Sequence, residues 1–151
     1  MKTYIFNTSL LENQKISRKI EIPENINLYQ LAKTIVKAYE FNFDHCFGFF
    51  NKISPYRYFD SERKYELFTD LIEEGENIES TGAGSVKKTR VSDVWKNPKE
   101  KMMFLFDYGD NWHFLIELAG FGEKDAKKKY PRILKKTGKA PEQYICQEFS
   151  S

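Results

Sequence analysis

The stretch Met102-Met103-Phe104-Leu105-Phe106-Asp107-Tyr108-Gly109-Asp110-Asn111-Trp112-His113-Phe114-Leu115-Ile116-Glu117-Leu118 decides the fold class. Two apolar runs flank four turn-forming residues, the pattern of a β-hairpin. Met102 to Asp107 predicts one strand, Tyr108 to Asn111 the turn, and Trp112 to Leu118 the return. Along the return strand Trp112, Phe114, Ile116 and Leu118 share one face, and His113, Leu115 and Glu117 the other, because strand side chains alternate. Gly109 is expected to supply a positive φ, and Asp110 and Asn111 tolerate tight-turn geometry.

Upstream of the hairpin, Val91, Val94 and Trp95 predict a short helix that stops before Pro98. Residues 74–90 hold Gly75, Gly82, Gly84 and Ser85 without apolar periodicity and read as a mobile loop. Leu67, Phe68, Leu71 and Ile72 predict a helix over 65–72. His45 to Phe50 reads as a short buried strand. Leu28, Leu31, Ile35 and Ala38 recur at helical spacing, with Asn27 as N-cap and Gln30 three residues on. At the start of the chain, residues 3–8 and the alternating Ile16 to Ile22 predict a second hairpin, ended by Pro23, which cannot donate to a ladder. Downstream, Tyr130-Pro131 and Lys139-Ala140-Pro141 mark turns in a basic tail. Hairpins at both ends with two to three helices between them predict an α+β fold, with a mixed or mainly antiparallel sheet, a β-β-α-β beginning and a C-terminal β-hairpin.

The chain has 151 residues, 40% hydrophobic and 16% aromatic, which suits a single domain spanning 1–151 with a packed core. Two Cys exclude a disulfide scaffold, and Cys46 and Cys146 read as free thiols. No apolar run reaches the roughly 18 residues that a membrane span needs, and no secretory leader is evident, so a cytoplasmic location is expected. The net charge of +2 conceals an asymmetry. Residues 60–79 carry eight acids against two bases, and residues 121–140 carry eight bases against two acids. The two blocks can attract each other, or the basic one can face an anionic partner.

A polar cluster is expected around the hairpin tip. Arg18 lies in phase with Ile20 and Ile22, so its guanidinium should point to the core and require an acidic partner. Asp107 or Asp110 is the expected partner, with His45 joining and Trp112 anchoring the hairpin. The same Asp, Gly and Asn residues also suit a purely architectural turn. Asp44, His45, Cys46, Asp107 and Asp110 are metal-ligand types, but no CxxC or HExxH spacing is present, and no metal or cofactor is expected. Gly82-Ala83-Gly84-Ser85 lacks the Gly-Lys-Ser/Thr that completes a phosphate loop. No nucleophile elbow is present.

Four segments carry a family resemblance. They are Ile16 to Pro23, Leu28 to Phe50 with Phe43-Asp44-His45, Phe106 to Trp112, and Tyr130-Pro131-Arg132 with Pro141-Glu142. The third, aromatic-Asp-aromatic-Gly-Asp-x-Trp, is the most specific. Together they resemble the plasmid pRiA4b ORF-3-like family over nearly the whole chain. This sequence departs from that family at Ser17, where Trp is frequent, and at Phe114, where His is frequent. It departs again at Ala140, Gln143 and Ile145-Cys146 in the C-terminal segment. The resemblance implies association with plasmids and insertion elements but no settled biochemistry. No serine-recombinase nucleophile motif accompanies it.

The expected function is a binding or accessory module whose partner is a protein or a small molecule, without a membrane role and more in keeping with a non-enzyme than an enzyme. One alternative is nucleic-acid binding through the basic 124–139 segment, using Lys127, Lys128, Lys129, Arg132, Lys135 and Lys136. The other is a metal-assisted, hydrolase-like enzyme centred on Asp107, Asp110 and His45.

Overall fold

Antiparallel pairing organises the chain from its first residues to its last strand. The computed structural model describes residues 1–144. In order these form β1 (Lys2–Leu10), β2 (Ser17–Pro23), α1 (Leu28–Ala38), β3 (Phe47–Phe50), a 3₁₀ turn (Tyr58–Asp60) and β4 (Lys64–Glu66). Then follow α2 (Leu67–Glu73), α3 (Val91–Val94), β5 (Lys101–Phe106), β6 (Trp112–Glu123) and β7 (Arg132–Thr137). The strands make one seven-stranded sheet in the order β4-β3-β5-β6-β1-β2-β7. Every ladder in it is antiparallel. The fold is therefore α+β with a β-β-α-β beginning, as the sequence predicts.

The central hairpin forms, with Phe106 opposite Trp112 and Met103 opposite Leu115; its first strand ends at Phe106, so that Asp107, expected to close the strand, belongs to the turn. Phe114, Ile116 and Leu118 face a large core. Leu28, Leu31, Ala32, Ile35 and Val36 of α1 are fully buried in that core with Phe6, Ile20 and Ile22. Burying each large apolar side chain contributes about 1.5–3 kcal/mol, so α1 is held by packing far more than by propensity. Its start is the expected capping box: the Asn27 side chain accepts from the Gln30 amide at 2.8 Å, and the Gln30 side chain accepts from the Asn27 amide at 3.0 Å. Among the described residues, the opposite sheet face carries a smaller cluster of Phe50, Met103 and Leu105, with Leu11, Tyr58 and Tyr108 packed against it.

Three elements differ from expectation. The helix expected over 65–72 begins at Leu67, because Lys64–Glu66 instead pairs with β3 and Tyr65 lies opposite Phe49. The strand expected from His45 begins at Phe47. The β5–β6 hairpin is not the last element, because β7 pairs with β2 at the sheet edge. Its sequence, Arg-Ile-Leu-Lys-Lys-Thr, lacks clean alternation, and a lysine-rich edge strand is a common guard against unwanted pairing.

The 74–90 segment contains no helix or named strand. Its second half is nonetheless anchored. Ser85 and the Val86 amide donate to the Asp70 carboxylate, at 2.5 and 2.9 Å. Val86 is buried, and the Leu28 amide donates to the Thr89 carbonyl at 2.9 Å. Side-chain-to-backbone bonds of this kind leave no hydrophobic period to read. Among the described residues, no helix is long and apolar enough to cross a membrane.

Candidate functional site

At the hairpin tip the chain turns through two left-handed residues, Asp107 at φ 68° and Asn111 at φ 56°. Asp and Asn are the non-glycine residues that tolerate this region best. Gly109 is not among the positive-φ residues, contrary to the expectation; its role is close approach. A Cβ there would stand 3.2 Å from Asp107 Oδ1. That oxygen accepts from the Gly109 amide at 3.0 Å and the Asp110 amide at 3.2 Å. Asp107 is 4% exposed, so these amides replace the water its carboxylate has lost.

His45 sits beside it on the segment before β3. Its Nε2 lies 3.5 Å from Asp107 Oδ2 and its Nδ1 2.7 Å from Asp44 Oδ1. Tyr144 donates to Asp44 Oδ2 at 2.6 Å. This bond holds the Asp44 carboxyl below its ordinary range and pushes the Tyr144 phenol up to about 12. Carboxylate oxygens thus stand beside both nitrogens of His45. Trp112 packs against Phe41 at 4.8 Å between ring centroids, and its indole N–H is buried without a partner among the described residues. Asp110 is exposed and borders an acidic cleft of about 510 Å³ with Glu12, Trp112, Glu142 and Tyr144. Among the described residues, no three His, Cys, Asp or Glu side chains are arranged to hold a metal ion.

Arg18 does not join this cluster. It lies on β2, and β1 and β6 separate it from β5. It is 3% exposed and inward-facing, as its phase predicts, but among the described residues no carboxylate meets it. Its Nε donates to the Ala38 carbonyl at 3.0 Å, and one terminal nitrogen donates to the carbonyls of Ser17, Thr137 and Gly138 at 2.7, 3.0 and 3.0 Å. Its guanidinium carbon stands 5.0 Å from the centre of the Tyr39 ring. The end of α1 carries negative dipole charge, so backbone carbonyls and an aromatic face take the place of the expected acid. Arg18 joins the end of α1 to the end of β7.

Between those two elements runs a groove of about 730 Å³. Gln30, Lys33, Thr34 and Lys37 of α1 form one wall, and Tyr130, Pro131, Ile133 and Lys136 belong to the other. Arg132 also lines it, but its guanidinium is drawn to Glu21 at 4.0 Å. No acid lines the groove, and Lys33, Lys37 and Lys136 make no ion pair among the described residues. The sequence reading found Arg132 and Lys136 but missed Lys33 and Lys37. Their i, i+4 spacing on the polar face of α1 was the available signal. Lys135 borders a different cleft, beside Lys19 and Glu117. Lys127, Lys128 and Lys129 are exposed in the turn before Tyr130. The two charge blocks do not pair: Glu73 and Glu74 meet Lys88 and Lys87 at 2.8 and 3.0 Å, while Glu66 and Asp70 are buried. Cys46 is a free thiol among the described residues, and burial pushes its pKa up; Cys146 and Ile145 lie outside them.

Comparison with known proteins places this arrangement in a family. The family model described as plasmid pRiA4b ORF-3-like protein matches residues 3–146, and the chain belongs to that family. A crystal structure of a protein of unknown function, MM3350 from Methanosarcina mazei Go1, shares the fold at a TM-score of 0.71 and 22% identity. The match covers 93% of this chain and 71% of that one. No curated protein matches.

Proposed function

We propose that this pRiA4b ORF-3-like protein is a nucleic-acid-binding accessory module that takes a sugar–phosphate backbone in the groove between α1 and β7. The supporting observation is the groove itself, with three lysines that make no ion pair among the described residues and no acid among its lining residues. Phosphate neutralisation supplies most non-specific affinity for nucleic acid. Tyr130 and Ile133 add an aromatic and an apolar surface beside the cations, the combination that suits the bases of a single strand. Lys127, Lys128 and Lys129 continue the positive surface past Tyr130. Arg18 keeps the walls in place from beneath through its bonds to Ala38, Thr137 and Gly138. Of the eight acids in the acidic block, Glu66 and Asp70 are buried, Glu73 and Glu74 pair with Lys88 and Lys87, and Asp60 pairs with Arg57; none of the eight lines the groove. Such a role puts the chain in the cytoplasm, beside the DNA of the plasmids and insertion elements that the family resemblance implies.

Fluorescence anisotropy with labelled single-stranded and duplex oligonucleotides at low salt tests this reading. The expected result is single-strand binding that salt weakens and that the combined K33E/K37E/K136E change abolishes. Absence of binding at low salt, or binding indifferent to that triple change, contradicts it.

A further inference from the structure

A second pocket, unrelated to the basic groove, lies where β3, β4 and the start of α2 meet. Its volume is about 240 Å³, below the usual range of drug-sized sites. Phe50, Tyr58, Phe59, Phe68 and Tyr108 line it around Glu66, with Lys64 and Thr81 completing the wall. The rings stand at steep angles to one another. Phe50 and Tyr58 are 4.7 Å apart at 62°, Tyr58 and Phe59 5.7 Å at 79°, and Phe68 and Tyr108 4.8 Å at 41°. Phe59 stays 55% exposed at the rim.

Glu66 is the unusual member. It is 4% exposed, and no cation pairs with it among the described residues. Its carboxylate accepts from Thr81 Oγ1 at 2.6 Å and from the Tyr108 hydroxyl. Burial, then the Glu66 charge, pushes the Tyr108 phenol up, which keeps it a donor. Opposite Glu66 on β3 stands Gly48, where a Cβ would come within 2.9 Å of Glu66 Cγ. The chain thus makes room for this side chain and supplies it with hydroxyl donors, but no cation contacts its carboxylate among the described residues. Lys64, on the same pocket wall, turns its ammonium to the Phe59 carbonyl at 3.1 Å and makes no ion pair with Glu66.

A buried carboxylate walled by aromatic faces favours a cation that loses little hydration on entry. A strongly hydrated metal ion loses more hydration than the rings return, and a neutral molecule offers the carboxylate at most a hydrogen bond, a role that Thr81 and Tyr108 already fill. We propose that this pocket binds a small organic cation of the quaternary- or methylated-ammonium class, with Glu66 as counter-ion and Tyr58, Phe59, Phe68 and Tyr108 as aromatic walls.

The test titrates the full chain with tetramethylammonium chloride, followed by ¹H–¹⁵N NMR, with tert-butanol and sodium chloride as neutral and hydrated-ion controls. Saturable shifts at Glu66, Tyr108 and their neighbours are expected from tetramethylammonium alone. Glu66→Gln should weaken binding by about tenfold or more, the scale of a desolvated cation interaction. Phe59→Ala, at an exposed position, should weaken it severalfold without disturbing the fold, so the test survives if the Glu66 variant unfolds. Non-saturable shifts, equal response to tert-butanol, or unchanged affinity in either folded variant overturns the proposal.

Discussion

Arg18 and Asp107 stand in different parts of the sheet, carry opposite charges, and are 3% and 4% exposed. The obvious pairing would join them, yet each is satisfied by backbone instead. Arg18 collects carbonyls from Ser17, Ala38, Thr137 and Gly138. Asp107 collects amides from Gly109 and Asp110, with His45 alongside. The difference between them is reach. Arg18 ties residues 20 and 120 positions away, whereas the amides Asp107 accepts lie two and three positions on. A buried charge therefore does not by itself announce an ion pair or an active site. Here one charge closes the fold and the other shapes a turn.

Reach sets the expected size of the effects. Arg18→Met leaves several carbonyls without their donor and releases β7 from α1, so urea unfolding should show a loss of about 3 kcal/mol. A loss near zero would mean that the carbonyl network is incidental. Asp107→Ala removes the amide cap and puts Ala at a positive φ, at a cost of about 1–2 kcal/mol, and Asp107→Asn should recover most of it. If the Asn variant is no better than Ala, the turn reading of Asp107 is wrong and its charge matters more.

The smallest effect concerns His113, whose ring nitrogens are both buried without partners among the described residues. Burial holds its folded pKa below the ordinary value, against an opposing pull from Glu12. The unfolded chain therefore binds the proton more readily. Stability from this site is complete above the unfolded pKa of about 6.5 and declines as pH falls through and below it. Urea midpoints between pH 7.5 and 5.5 should fall for the native chain and fall less for His113→Phe. Equal slopes would show that the ring accepts its proton without penalty.

Much of this fold was legible because its signals are local. The α1 capping box, the β5–β6 alternation and the Pro23 stop each depend on residues within one element. β4 and β7 were missed because their pairing partners are distant and their own patterns are short or lysine-rich. The inward phase of Arg18 was readable from Ile20 and Ile22. Its partners were not, because backbone carbonyls carry no sequence signature. For the same reason the basic segment revealed Lys136 but not its counterparts Lys33 and Lys37, which an antiparallel sheet and a crossing helix bring to the same groove. His45 and Asp107 do adjoin, but the motif could not show that turn amides occupy Asp107.

The salt dependence of single-strand affinity tests the central claim most directly. Three lysines contacting phosphate should give log Kobs against log salt a slope of about −2, and each Lys→Gln change at 33, 37 or 136 should reduce its magnitude by about 0.7. A slope near zero, or one that these three changes leave intact while Lys127, Lys128 and Lys129 replacements remove it, would contradict the groove as the binding site.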